Sequence, residues 1–132
     1  MAFAGMNKME TTINPSEMAA KLKEFWSPRV VGEVNDAYIK VARLKGQLVW
    51  HKHEDEDELF LVLRGKLRIE LEDRGSVELT DGEFFVVPKG ILHNPIADKE
   101  CHVLLVERKT TKHTGNVMTE MTRSIEEQLK PM

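Results

Sequence analysis

The stretch that decides the fold is Trp50-His51-Lys52-His53-Glu54-Asp55-Glu56-Asp57-Glu58. On a β-strand, His51 and His53 would point to the same face because they are two residues apart. Glu58 has the opposite parity to His53, so an unbroken strand would place these two side chains on opposite faces. Adjacent acidic residues disfavour strand pairing, and the run 54–57 therefore predicts a break that returns Glu58 to the histidines. We expect this turn to be solvated; alternatively, it forms a negative rim that attracts a cation.

A further histidine, His93, ends the segment Pro88-Lys89-Gly90-Ile91-Leu92-His93. Two imidazoles and one carboxylate that meet at a point are typical of a divalent transition-metal site. We therefore predict His51, His53 and Glu58 as metal ligands, with His93 as a fourth candidate. Such ligands suit Fe, Mn, Ni, Zn or Co, and they do not select among these metals.

Composition and charge limit the class of protein. The chain has 132 residues and a formal net charge of −3, which fits one globular domain and offers no basic patch for nucleic acid. No apolar run reaches the roughly 20 residues that a membrane helix needs. The single cysteine, Cys101, rules out an internal disulfide and fits a reducing, cytoplasmic location. We predict that residues 1–13 are disordered.

Helical spacing follows this N-terminal stretch. Asn14-Pro15-Ser16-Glu17 is a helix-start signal, with Asn as the N-cap, Pro at the first helical position and Glu three residues after the cap. Met18, Leu22 and Phe25 then recur at helical spacing, and Ser27-Pro28 is expected to end the helix.

The period changes to two residues from about Val30 to Lys109, with Leu67, Ile69 and Leu71 as the clearest half-buried strand. Glycine-containing turns between short strands predict an antiparallel sandwich or barrel over residues 14–109, including the leading helix. A polar segment and a short helix are expected over residues 110–132. The apolar positions of that helix are Met121, Ile125 and Leu129.

The segment Leu59–Leu63 is apolar at every position, so both of its faces need a cover. Phe60 and Val62 share parity with Glu58 and are expected to line the interior. The outward leucines are expected to pack against the N-terminal helix or a second subunit, and we predict a homodimer.

The residues around His51 and those around His93 form two motifs that resemble the motifs of the cupin superfamily. The first motif matches in Gly46, His51, His53, Glu58 and Gly65, with one residue fewer than usual between Gly46 and His51. The second motif matches in Gly82, Pro88, Gly90 and His93, but Ala97 stands where the family usually has Asn. The resemblance covers roughly residues 37–108.

The resemblance implies an all-β jelly-roll barrel with a divalent metal held by His51, His53, Glu58 and His93. For a small-molecule enzyme, we expect Phe60, Val62 and either Phe84 or Phe85 to form an apolar pocket wall. The alternative is an empty barrel whose histidines hydrogen-bond one another.

Three classes of function remain open at this point. The first is an enzyme that acts on a sugar, an amino-acid derivative or a small acid by metal-centred dioxygenase, isomerase or lyase chemistry. The second is a non-catalytic binding module whose metal orients a small ligand, and the third is a metal that only stiffens a dimer. His113 is expected in a solvated linker; the alternative is a mobile segment over the barrel mouth.

Overall fold

Seven antiparallel strands and two short helices are present in residues 12–132, the part of the chain that the computed structural model describes. The predicted disorder of residues 1–13 therefore falls almost wholly outside the described residues. In chain order the elements are α1 (Pro15–Lys21), β1 (Arg29–Val34), β2 (Ala37–Gln47), β3 (Glu58–Arg64), β4 (Lys66–Leu71), β5 (Gly75–Thr80), β6 (Phe84–Val87), β7 (His93–Arg108) and α2 (Ile125–Gln128).

The long strand β7 organises the sheet, whose hydrogen-bonded order is β1-β2-β7-β3-β6. One edge of β7 pairs with β2 from Ile96 to Arg108. Its other edge pairs first with β4, from His93 to Ile96, and then with β3, from His102 to Glu107. Because one strand serves two partners in succession, the sheet folds over on itself into the predicted all-β, jelly-roll arrangement.

Alternation along β3 places the site residues. Glu58, Phe60 and Val62 are buried, whereas the leucines between them are only partly buried. Phe60 and Val62 join a core drawn from β2 to β7, which includes Leu67, Ile69 and Val103. The predicted parity of β3 is therefore confirmed.

The helix α1 begins as predicted and ends early. The Asn14 side chain accepts a hydrogen bond from the Glu17 N–H at 3.1 Å, and Pro15 is the first helical residue. Leu22 is already extended, six residues before the expected end at Ser27-Pro28. The cause is tertiary: the Trp26 N–H donates to the Arg43 carbonyl of β2 at 2.9 Å, which draws this segment away from the helix.

Helix α1 covers only part of the outer face of β3. Leu63 packs in a cluster with Ala19, Leu22 and Val41. Leu59 and Leu61 are not members of that cluster and stay half-buried. Neither helix within residues 12–132 has the length and apolarity to cross a membrane.

The segment that follows β7 is packed and not a solvated linker, so that expectation is wrong. Thr111, Thr114 and Gln128 are all buried. The Thr110 hydroxyl donates to the Glu56 carboxylate at 2.7 Å, which ties the segment to the acidic turn. The one-turn helix α2 has a capping box built by Ser124 and Glu127.

Candidate metal centre

Four buried side chains meet inside the barrel, as the spacing of the two motifs predicts. His51, His53, Glu58 and His93 each offer one ligand atom, and these atoms all lie within 4.8 Å of one another. Their exposed fractions are 2%, 5%, 5% and 0%. Three imidazoles and one carboxylate are thus gathered in a space that one metal ion could occupy.

Backbone pairing brings the two motifs together. The His51 N–H donates to the His93 carbonyl at 3.0 Å, and the His93 N–H donates to the His51 carbonyl at 2.8 Å. His51 forms only this isolated bridge and His53 lies in irregular structure, so the expected regular strand through both residues is absent. The side chains still converge because His51 is held directly opposite His93.

The imidazole rings of His51 and His93 are each oriented by the same kind of hydrogen bond. The Nδ1 of His51 lies 2.9 Å from the Val49 carbonyl oxygen, and the Nδ1 of His93 lies 3.0 Å from the Ile91 carbonyl oxygen. A carbonyl oxygen only accepts, so each Nδ1 must carry the proton. A ring that carries only this proton has its lone pair on Nε2, and carbonyl partners of this kind are typical of metal-ligating histidines.

The acidic run breaks the chain between His53 and Glu58, as its composition predicts. Residues 54–57 have no strand structure, and β3 starts at Glu58. Asp57 is more than a solvated residue, because its carboxylate accepts the Lys89 N–H at 2.9 Å. The Gly90 N–H donates to the His53 carbonyl at 2.7 Å. These two bonds connect the turn to the second motif.

Three ligand atoms lack a hydrogen-bond partner although they are buried. They are His53 Nε2, Glu58 Oε1 and His93 Nε2. Glu58 Oε1 lies 3.3 Å from His53 Nε2 and 3.4 Å from His93 Nε2, which is ion-pair range without hydrogen-bond geometry. A buried polar atom without a partner is costly. The cluster is therefore incomplete as a hydrogen-bonded network, which disfavours the empty-barrel alternative.

The protonation of the cluster follows from burial and charge. Burial lowers the pKa of His51 to about 4. Burial also opposes the charged form of His53, but the Glu58 carboxylate outweighs it and raises the pKa of that ring. Burial disfavours the Glu58 anion as well, yet His53 and His93 hold its pKa well below the usual range. The cluster thus favours an ionised carboxylate, as a metal ligand must be.

A buried Lys-Glu pair adjoins the site, and sequence reasoning missed it. Glu107 lies opposite Glu58 in the β3–β7 register, and the Lys40 ammonium is 3.5 Å from its carboxylate. Lys40 Nζ also donates to Gln128 of α2 at 2.6 Å. Burial and the nearby Glu58 charge raise the pKa of Glu107 to about 8. Its parity with the core residue Leu105 was the signal that could have found it.

A small cavity opens beside the ligands. His51, Glu58 and Phe60 line it, and the other lining residues are mostly apolar: Trp26, Pro28, Ala42, Leu44, Leu48, Pro95, Val103, Leu105 and His113. About 30 Å³ of it is open, which is room for a water molecule or two. Phe60, one of the predicted wall residues, lines this cavity. Val62 and Phe85 are absent from the lining among the described residues, because Val62 is fully packed in the core and Phe85 lies against it from β6.

His113 reaches this cavity from the C-terminal segment. Its Nδ1 accepts the Arg123 N–H at 2.9 Å. Burial lowers the pKa of the ring to about 4. The expected linker position of His113 is therefore wrong, and the alternative over the barrel mouth is closer to what the structure has. Its sequence signal was weak, since no spacing connects it to either motif.

Comparison with known proteins agrees with the fold and with the two motifs. The Cupin_2 family, a cupin domain, matches residues 41–107. Over 104 residues the chain is 34% identical to the uncharacterised protein YdbB of Bacillus subtilis (strain 168), which covers 79% of this chain and 89% of that protein.

Two crystal structures are similar in sequence as well as in fold. A cupin-2 domain containing protein from Shewanella frigidimarina is 40% identical with a TM-score of 0.69, and covers 73% of this chain and 93% of that one. Protein NMB1881 from Neisseria meningitidis is 30% identical with a TM-score of 0.68, and covers 74% of this chain and 99% of that one. With the family match spanning half of its length, this chain belongs to the Cupin_2 family of cupin-domain proteins.

Proposed function

We propose that this protein binds one divalent transition metal ion through His51, His53, Glu58 and His93 and uses it to act on a small molecule. The observation that supports this most is the set of buried ligand atoms without hydrogen-bond partners, two of them on imidazoles and one on a carboxylate. A metal ion would satisfy all three at once. The carbonyl partners of His51 and His93 already direct their lone pairs away from the backbone.

The donor set suits Fe, Mn, Ni, Zn or Co and leaves coordination positions for a ligand on a six-coordinate ion. When bound, the ion would serve as a Lewis acid for a carbonyl or hydroxyl oxygen or would activate dioxygen, which is the chemistry of dioxygenases, isomerases and lyases. Glu58 supplies the charge that partly neutralises the ion. Lys40 and Glu107 form a buried polar pair, and Glu107 lies opposite Glu58 in the β3–β7 register.

The lining favours one substrate class over the others. Apart from His51, Glu58 and His113, the lining side chains are apolar or, like Trp26, have their polar atom occupied: its Nε1 donates to the Lys45 carbonyl at 2.8 Å. A sugar would bury several hydroxyl groups here without partners, at a cost of about 1–3 kcal/mol each. A small acid or carbonyl compound with an apolar body fits better.

Metal analysis tests the proposal. Purified protein is titrated with Fe2+, Mn2+, Ni2+, Co2+ and Zn2+, and we expect close to one ion per chain and a higher Tm. The double variant His51→Ala, His53→Ala should lose both effects. His102→Ala is the matched control, because His102 is a buried histidine outside the cluster that contacts Glu100 at 2.8 Å. Wild-type protein that neither holds nor responds to any of these ions would refute the proposal.

A metal-dependent binding module is the second candidate, and the small size of the cavity favours it. Turnover needs repeated entry of substrate and release of product, and about 30 Å³ of open space hinders this rapid exchange unless the cover moves. Oxygen uptake and product formation are measured after Fe2+ loading with a panel of small aliphatic and aromatic acids. A compound that raises the Tm and is recovered unchanged indicates a binder; a new product indicates an enzyme.

We propose a homodimer that forms through the outer face of β3 and β6. Leu59 lies opposite Val86 and Leu61 opposite Phe84, and β6 ends the sheet within the described residues. Phe84 is 63% exposed and Val86 is 40% exposed. A contiguous apolar surface on an edge strand is a common site of subunit contact. The buried single cysteine supports a reducing, cytoplasmic setting.

A further inference from the structure

We propose that His113 is a positioning residue that donates its Nε2–H to an oxygen atom of a small acid or carbonyl ligand bound at the metal. The inference rests on the proposed metal site and adds a residue from outside both cupin motifs. It assigns the C-terminal segment a part in ligand recognition.

The C-terminal segment places the His113 ring beside the metal-ligand candidates. His113 lines the same cavity as the metal-ligand candidates His51 and Glu58, although it follows β7 in a segment with no regular structure. The segment is held there by specific contacts. Thr114 is completely buried and its hydroxyl lies 2.7 Å from that of Thr122. Thr110 is bonded to Glu56 of the acidic turn.

The tautomer of His113 follows from its hydrogen bond to Arg123. A neutral imidazole has one donor and one acceptor nitrogen. The Nδ1 of His113 accepts the Arg123 N–H, and the proton is therefore on Nε2. His51 shows the reverse arrangement, because its Nδ1 must donate to the Val49 carbonyl. His51 thus presents a lone pair to the site, whereas His113 presents an N–H and is a hydrogen-bond donor instead of a metal ligand.

The hydrogen bond that orients the His113 ring is itself anchored. The partner of Nδ1 is a backbone group, and its residue Arg123 is anchored in turn: the guanidinium donates to the Met121 carbonyl at 3.1 Å and to the Ser27 hydroxyl at 3.3 Å. No hydrogen-bond partner of His113 Nε2 is present in residues 12–132. His113 lines the cavity, and its Nε2–H is free to donate to a ligand bound there.

The charge of His113 and the apolar wall around it determine which kind of ligand fits. The neutral ring carries no charge, because burial keeps its pKa near 4. Its N–H suits an acceptor oxygen on a molecule whose remainder contacts Phe60 and the apolar wall. A carboxylate or carbonyl oxygen provides such an acceptor. Hydrogen bonds to a charged acceptor contribute about 1.5–3 kcal/mol, which corresponds to about 10- to 100-fold in affinity.

Two amide variants separate donation from structure. In His113→Asn, the side-chain oxygen can replace Nδ1 as acceptor for the Arg123 N–H, but no N–H reaches the position of Nε2. In His113→Gln, the amide N–H can reach the position of Nε2. Full-length Co2+-loaded protein is titrated with acetate, and the visible Co2+ spectrum reports binding. Co2+ affinity and Tm are measured for each variant.

We expect His113→Asn to bind acetate about 10-fold more weakly or worse, with Co2+ affinity unchanged, and His113→Gln to recover most of the loss. Equal acetate affinity in all three proteins overturns the role of His113 and leaves the metal site intact. The same is true if acetate does not bind to Co2+-loaded wild type. Failure of wild type to bind Co2+ overturns the metal site itself, and this inference with it.

Nitrogen-15 NMR of the Zn2+-loaded wild type is a test that needs no folded variant. We expect His113 to have a protonated Nε2 and an unprotonated Nδ1, and its Nε2 to shift on acetate addition, whereas the Nε2 of His102, which donates to the Glu100 carboxylate, should not shift. A protonated Nδ1 on His113 would overturn the proposal.

Discussion

Gly115 lies against the carbonyl oxygen of Lys52, so close that a Cβ on Gly115 would be 2.2 Å from that oxygen. Lys52 is the residue between the two ligand candidates His51 and His53. Gly115 has a φ of +60°, in the left-handed region that favours glycine. The C-terminal segment is therefore packed directly on the backbone of the metal-ligand loop, and a side chain at Gly115 would force them apart.

Substitution Gly115→Ala is expected to destabilise the protein by roughly 2–4 kcal/mol, since it adds a backbone clash to the cost of a left-handed alanine. Denaturant unfolding measures the change. Gly75→Ala is the control, because Gly75 has a φ of +81° and nothing within 4 Å of its Cβ position. The difference between the two variants reports the contact with Lys52; equal losses would show that this contact contributes nothing.

Metal binding should stabilise the fold. The ligand atoms are brought together only in the folded state, so the ion binds that state alone. An ion at 100 times its Kd then adds about 2.7 kcal/mol to the free energy of unfolding. We expect Tm to rise with Co2+ and to fall again with a chelator. In Glu58→Gln the carboxylate charge is lost, and the Tm rise should shrink or disappear. A chelator-insensitive Tm in Co2+-treated wild type would contradict the expectation.

Metal affinity should fall as the pH is lowered through a defined range. A proton and the ion compete for His53, whose pKa the Glu58 carboxylate raises above the usual 6.5. His51 competes little until the pH approaches 4. Calorimetric Co2+ titrations between about pH 5 and pH 8 should therefore show affinity falling as the pH drops through the raised value. Constant affinity down to about pH 5 would contradict this assignment.

Glu107 should make the metal-free protein less stable as the pH rises. Burial raises its pKa from an ordinary 4.5 to about 8, so the folded state retains the proton more strongly. The stabilisation is complete below the unfolded pKa and is lost as the pH rises through the folded one. Glu107→Gln stays neutral at every pH and should flatten this slope in thermal melts. Glu78→Gln, on the exposed face of β5, should keep the wild-type slope.

Charge on the outer face of β6 should separate the proposed dimer. Phe84→Glu places a carboxylate on the apolar surface formed with Leu61, and light scattering should then report a monomer where the wild type is a dimer. Val34→Glu is the control, because Val34 is 55% exposed on β1 at the opposite end of the sheet order. A wild type that is monomeric at every concentration would refute the proposed interface.

The barrel and its ligand cluster could be predicted because local rules govern them. Parity along the chain separates the inward residues of β3 from the outward ones, and the acidic run supplies the break that Glu58 needs. The start of α1 also followed from its cap, Asn14. Each of these depends on residues a few positions apart, where backbone geometry limits the options. His93 is far from the other ligands in the chain, and the resemblance to the second cupin motif connected it to them.

The end of α1 and the reach of the pocket wall could not be predicted in this way. Helical spacing continues through Phe25, but the pairing of Trp26 with β2 outweighs it. Phe85 packs against the core from the inward face of β6, but it does not line the cavity beside the ligands. Competing contacts decided both, and such contacts join residues far apart in the chain.

By itself, then, the sequence determined which four side chains would meet and what class of metal they suit, because strand parity and motif spacing constrain them. Only the tertiary structure decided that Lys40 and Glu107 would be buried beside them and that the C-terminal segment would bring His113 to the same cavity. The reason is physical. Residue type and spacing specify a local periodicity, whereas the packing of a segment without periodicity depends on which surface the rest of the fold leaves for it to cover.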